Sequence, residues 1–153
     1  MLPDGRVKKV PRMHRFDSSH VIAFTSDKNI LILKEYRPFY KEWIWMLPSG
    51  HVDKEKDPLE AAQRELREET GFRAKTMTSF GSAQHSEMIV FTNHFFIARN
   101  LLKDPLEQDP DELIEVQELP INDALQKILS SKKIHTPSAY ALLRYLHEHP
   151  EAK

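Results

Sequence analysis

The stretch Gly50-His-Val-Asp53-Lys-Glu55-Lys56-Asp57-Pro58-Leu59-Glu60-Ala-Ala62-Gln-Arg64-Glu65-Leu66-Arg-Glu68-Glu69-Thr-Gly71-Phe72 decides how the rest of the chain is read. From Asp57 it takes on helical period. Asp57 suits an N-cap, Pro58 suits the first helical position, and Leu59, Ala62 and Leu66 recur at spacings of three and four until Gly71 stops the helix. Within that helix Glu65, Glu68 and Glu69 share one face. Like charges at these spacings cost roughly 0.2 to 0.5 kcal/mol per pair, and acids near a helix C-terminus also oppose its dipole. A solvated face tolerates that cost, and so does a site where a cation offsets it. Clustered carboxylates are the donors a hard divalent ion such as Mg²⁺ prefers, together with water and substrate phosphates. Two of only four glycines, Gly50 and Gly71, bracket the segment.

Outward from this helix the pattern is of strands, then helix, then strands, then helices. His20–Phe24 and Asn29–Lys34 are strand-like and separated by the turn residues Ser26 to Asn29, and Trp43–Leu47 is a third apolar run closed by Pro48. Phe80–Ala83, Met88–Ala98 and Leu113–Leu119 follow, with a polar loop predicted from Asn100 to Asp111. Asn122 is read as the cap of a helix reaching about Ser130, and Thr136-Pro137 opens another whose apolar stripe is Ala139, Leu142, Leu143 and Leu146. This order predicts the α/β (α+β) class, with a mixed β-sheet flanked by helices.

The 153 residues fit one domain, and 40% hydrophobic with 29% charged residues describes a soluble globular chain. Residues 1–15 carry five basic side chains, Arg6, Lys8, Lys9, Arg12 and Arg15, against the single acid Asp4, and read as an N-terminal arm. Net charge is −1, so there is no strong field toward polyanions, and nucleic acid is an unexpected partner. The absence of cysteine excludes disulfides, thiolate metal sites and a cysteine nucleophile, and fits a cytoplasmic location. No apolar run reaches the roughly 20 residues of a membrane span, and no signal peptide is visible. None of the eight histidines stands in His-Glu-x-x-His spacing.

The quoted stretch resembles the Nudix box, G-x5-E-x7-R-E-U-x-E-E-x-G-U with U bulky and apolar, at every fixed position but one. Lys56 stands where that family has its first glutamate, a partner of the motif arginine; Glu60 and Asp57 are the candidates to serve Arg64 instead. The resemblance implies an α/β/α sandwich and a hydrolase of phosphoric anhydride bonds. It implies Glu65 and Glu69 as principal metal ligands, Glu68 as a third carboxylate, the Ser49 main-chain carbonyl as a further contact, and Arg64 as the residue orienting the acids. The implied cofactor is two or three Mg²⁺ ions, with Mn²⁺ as an alternative.

Further stretches resemble the ADP-ribose pyrophosphatase, or nucleoside diphosphate sugar hydrolase, branch of the family. The loop Leu106-Glu-Gln-Asp-Pro-Asp-Glu112-Leu-Ile-Glu-Val116 is similar to that branch's acidic loop, which makes Glu112 the candidate general base, with Glu107, Asp111 and Glu115 as competitors. Glu35-Tyr36-Arg37-Pro38 resembles its Gln-Tyr-Arg-Pro element: Arg37 is expected to pair with phosphate or carboxylate, and Tyr36, Phe39 or Trp43 to stack on a base. His85 is a candidate phosphate contact. Met46 before Leu47-Pro48, and Ala83-Gln84-His85-Ser86-Glu87 after the box, depart from the ADP-ribose pattern, so the expectation is set at nucleoside diphosphate sugars as a class, including ADP-ribose and GDP-mannose. Members of this branch commonly pair through N-terminal strands, which implies a homodimer with residues 1–15 at the interface. Two other readings share the box: a nucleoside triphosphate or RNA 5′-end pyrophosphohydrolase, and a non-catalytic nucleotide-binding protein.

Overall fold

From Val21 to Phe24 every residue is apolar, and the computed structural model, which describes residues 1–84 and 86–152, shows why. This strand lies between two layers. Val21 and Ala23 pack with Ala62, Leu66, Ala74 and Phe96 on one face, while Ile22 and Phe24 pack with Ile121, Ile128, Leu142 and Tyr145 on the other. A strand buried on both faces loses the alternation of a half-exposed one.

The elements are β1 (Met13–His14), β2 (Ser18–Phe24), β3 (Asn29–Arg37), β4 (Glu42–Met46), β5 (Ser49–His51), α1 (Pro58–Thr70), β6 (Phe72–Gln84), β7 (Ile89–Val90), β8 (Thr92–Lys103), β9 (Ile114–Pro120), α2 (Ile121–Ser130) and α3 (Thr136–Glu148). The main sheet runs β4-β3-β2-β8-β6, with β5 added to β2 and β9 to β3. It is mixed: β2 and β8 are parallel, and the other pairs are antiparallel. With α1 against one face and α2 and α3 against the other, the architecture is an α/β/α sandwich.

α1 forms as its local signals dictate. Asp57 accepts from Leu59 N–H at 2.9 Å, Pro58 opens the helix, and Gly71 ends it in the left-handed region at φ 78°. Two other expectations need correction. β8 continues to Lys103 and β6 starts at Phe72, because β6 is the sheet edge and its exposed positions are polar and charged, which hides a strand from an apolar-run search. α2 begins one residue before Asn122 and has no side-chain cap; Ile121 N–H instead donates to Lys28 O of the β2–β3 turn at 2.9 Å. The arm reaches the fold at β1, which pairs in parallel with β7.

A buried histidine pair joins the sheet to α3. His20 bonds Asn93 Oδ1 at 2.9 Å, His135 bonds Ser138 Oγ at 2.7 Å, and their ring centroids are 5.6 Å apart. Burial holds His20 down at about 4, and burial with repulsion from His20 and Arg37 holds His135 down at about 3. In the unfolded chain both titrate near 6.5, so acidification protonates the unfolded state first and removes stability as pH falls below that value. Between pH 7 and pH 5 we expect the stability of the native protein, relative to His135→Asn, to drop by roughly 2 kcal/mol. Urea unfolding of both proteins at the two pH values measures it, and a pH-independent difference would refute the assignment.

Candidate active site

β5 runs antiparallel to β2, with Gly50 opposite Ser19 and Ser49 opposite His20, and this brings the start of the quoted stretch against α1. A Cβ on Gly50 would overlap the Glu65 carboxyl group, so the close approach requires glycine. Next to it the Ser49 N–H donates to Glu69 Oε2 at 2.8 Å. Glu69 is buried; burial and repulsion from Glu65 raise its carboxyl well above the ordinary range. Glu65 is pushed up to about 7 by burial, against the pull of Arg64.

Arg64 is the hub. Its Nη1 lies 2.7 Å from Glu65 Oε1 and 2.8 Å from Glu68 Oε2, its Nε 2.6 Å from Glu55 Oε1, and its Nη2 contacts Asp53 and the His51 carbonyl. Burial disfavours the guanidinium charge, but the hydrogen bond Arg64 donates to Glu55 and the charge of Glu65 outweigh it and hold Arg64 protonated. Glu55 therefore fills the place that Lys56 leaves, from one residue earlier. Neither Glu60 nor Asp57 pairs with Arg64: Asp57 is spent on the helix cap, and Glu60 is exposed, as is Lys56.

Of these groups Ser49, Gly50, Asp53, Arg64 and Glu65 line a cavity of about 810 Å³, whereas Glu68 and Glu69 stand behind them and do not line it. Glu112 faces it from the 106–116 loop, with Asp109 beside it, whereas Glu107, Asp111 and Glu115 do not line it. Burial and then repulsion from Asp109 raise the Glu112 carboxyl, and Glu112 in turn raises Glu65 and Glu69, so the loop and the helix share one field. Arg37 lines the cavity too, close enough for its charge to act on Glu112, and lies 2.9 Å from the buried Glu35, a further carboxylate of the site that sequence reading missed as a site residue.

Tyr36 and Trp43 are placed differently from expectation. They pair edge to face at 5.6 Å, and neither lines the cavity. Side chains alternate along a strand, so the face that sends Glu35 and Arg37 inward sends Tyr36 outward, and Trp43 is its register partner. Phe39 is exposed and outside the cavity; Tyr40 is the aromatic that lines it. His85 lies outside the described residues. His20, Asn93 and His135 also line the cavity, brought there from β2, β8 and the start of α3 with no local signal in the sequence.

The donor set suits a hard divalent cation. Glu65 and Glu69 are carboxylates that burial and neighbouring acids drive toward protonation, and a cation between them would relieve both. Among the described residues no group of three acids or histidines is already arranged as a cation cage. Glu65 rests on Arg64 and Glu69 on Ser49 N–H.

Residues 14–143 match the NUDIX domain family. The chain belongs to the Nudix family. ADP-ribose pyrophosphatase of Bacillus subtilis (strain 168) is 33% identical over 147 residues, which is 92% of this chain and 78% of that protein. Methanol dehydrogenase activator of Bacillus methanolicus is 30% identical over 151 residues, 95% of this chain and 80% of the relative. Among solved structures, an ADP compounds hydrolase superposes with a TM-score of 0.79 at 20% identity, covering 92% of this chain and 76% of the other, which supports the Nudix fold. With its family established, the protein is a Nudix hydrolase, a pyrophosphatase. No helix among the described residues is long and apolar enough to cross a membrane.

Proposed function

We propose that this Nudix hydrolase cleaves the diphosphate of nucleoside diphosphate sugars, ADP-ribose among them, to a nucleoside monophosphate and a sugar phosphate. The observation that carries the reading is the convergence of Glu112 and Glu65 on one cavity: a carboxylate more than forty residues beyond the helix shares that cavity with Glu65 and helps to raise the carboxyls of Glu65 and of Glu69 behind it. The relative named ADP-ribose pyrophosphatase supports the same substrate class.

In this reading Glu65 and Glu69, with the Ser49 carbonyl and Glu68, hold Mg²⁺ or Mn²⁺. Bound there, such ions would supply charge to the phosphate oxygens and acidity to a water. Arg64 is a positioning residue that sets the acids from behind, anchored by Glu55. Glu112, its carboxyl raised by burial and by Asp109, accepts the proton of the attacking water on a carboxylate oxygen. Arg37, fixed by Glu35, donates to a non-bridging phosphate oxygen, and Tyr40 supplies an aromatic wall. Lys56 in place of the family's first glutamate would favour the non-catalytic alternative, but Glu55 supplies the missing carboxylate to Arg64.

The test is ADP-ribose, GDP-mannose, ATP and a 5′-triphosphorylated RNA, each with Mg²⁺, followed by ³¹P NMR. We expect nucleoside monophosphate from the sugar nucleotides. Release of inorganic pyrophosphate from ATP or RNA at a higher kcat/KM would replace this reading, and binding without turnover of any of the four would end it.

A further inference from the structure

Strand alternation carries through the join between β7 and β8, so that Ile89, Phe91 and Asn93, at every second position, all line the cavity. The first two make an apolar and aromatic strip, and the third ends it in an amide. The N-terminal arm lies alongside. Met13 N–H donates to Met88 O at 2.7 Å and Arg15 N–H to Val90 O at 3.2 Å. That pairing sets the Arg15 guanidinium over the Phe91 ring, 5.3 Å from its centroid, and Arg15 lines the same cavity.

Arg15 and Asn93 both carry donors that the fold does not use. No carboxylate pairs with Arg15 among the described residues, and Asp17, the acid nearest to it in sequence, is taken by Thr92 N–H at 2.7 Å and by His94 Nε2 at 3.1 Å. Asn93 is buried, at 4% exposure, and His20 Nε2–H donates to its Oδ1 at 2.9 Å. That bond settles which way the amide points. Its oxygen is spent on His20, and its NH₂ has no hydrogen-bond partner among the described residues. A buried donor without a protein partner is completed by a ligand or by water.

We infer that this strip holds the nucleobase of the substrate, with the base stacked on the Arg15 guanidinium and one of its ring nitrogens or carbonyl oxygens accepting from Asn93 Nδ2. The inference rests on the sugar-nucleotide reading and deepens it by assigning the residues that take the base. A nucleobase is planar, aromatic and edged with acceptors, so it answers the guanidinium plane, the apolar strip and the amide together. A sugar placed there would leave the guanidinium plane unstacked and set hydroxyls against Ile89 and Phe91, where they find no partner.

The experiment titrates AMP, GMP and ribose 5-phosphate, the last a phosphate without a base, into the ¹⁵N-labelled full chain with Mg²⁺ and follows the amides of Arg15 and of Ile89 to Asn93. At least one nucleotide is expected to shift these amides and to bind about tenfold or more tightly than ribose 5-phosphate does at the same amides, the scale of one stacked base. Arg15→Lys keeps the charge and loses the plane. Asn93→Asp keeps an oxygen for His20 and loses the donor. Each is expected to cut the preference for the nucleotide by about fivefold or more, and because an altered charge acts on the phosphate of every ligand alike, that preference reports the base. Arg15 is exposed, so Arg15→Lys decides the matter should Asn93→Asp fail to fold. Absence of any nucleotide preference at these amides, or a preference that survives Arg15→Lys, would overturn the inference, and so would a preference lost in Tyr40→Ala alone. Failure of the native protein to cleave ADP-ribose would end the sugar-nucleotide reading, and it is seen in turnover, apart from the binding preference.

Discussion

Glu69→Gln is expected to abolish turnover while leaving the protein as stable as before, or more so. The side chain is buried, and its carboxylate is repelled by Glu65 and Glu112. Glutamine keeps an oxygen for the Ser49 N–H, which the carboxylate now satisfies at 2.8 Å, and removes the charge that burial penalises. Without divalent cation, the variant is expected to gain about 1 kcal/mol, in line with other removals of an uncompensated buried charge. The same change takes an anionic oxygen from the cation and should lower kcat on the order of a thousandfold, since metal charge stabilisation contributes several kcal/mol to the barrier. Thermal unfolding in EDTA and ADP-ribose hydrolysis in Mg²⁺ give the two numbers. Activity within tenfold of native would remove Glu69 from the site.

The second large effect separates two adjacent residues. Glu55→Ala strips Arg64 of its bidentate partner, at 2.6 and 3.3 Å, and leaves a largely buried guanidinium to Asp53, Glu65 and Glu68. Breaking a buried pair by removing one partner costs several kcal/mol, and the remaining acids reduce that to about 2 kcal/mol here. Arg64 is then freer to hold Glu65, and kcat should fall roughly tenfold, the scale of about 1.4 kcal/mol. Lys56→Ala, one position along on an exposed side chain, should stay within about 0.5 kcal/mol of native stability and near native kcat. Chemical denaturation and steady-state kinetics on both variants check the contrast. If Lys56→Ala does the greater damage, the role given to Glu55 is wrong.

That contrast also marks what the sequence could reveal. α1 was legible in full because its determinants are local: Asp57 caps, Pro58 starts, Gly71 stops, and Glu65, Glu68 and Glu69 follow helical spacing. The partner of Arg64 was not, because motif spacing counts residues whereas an ion pair depends on where the loop carries a side chain, and the 53–55 segment brings Glu55 to Arg64 ahead of the expected position. Along β3, the alternation of Glu35, Tyr36 and Arg37 fixes that neighbours face apart. Which face meets the cavity depends on how the sheet is covered, so the sequence alone points to Tyr36 and Trp43 and does not single out Glu35. His20, Asn93, Lys132 and His135 come together only through the β2–β8 pairing and the docking of α3, and no window of sequence contains that meeting.

The most direct measurement is a crystal structure of the native protein with Mn²⁺ and an ADP-ribose analogue whose bridging diphosphate oxygen is replaced by methylene, with data collected for the manganese anomalous signal. Manganese ligated by Glu65 and Glu69, with the analogue's phosphates on it and Glu112 facing the phosphorus, is the expected result. Anomalous density elsewhere, with Glu65 still bonded to Arg64 and the analogue away from α1, would contradict it.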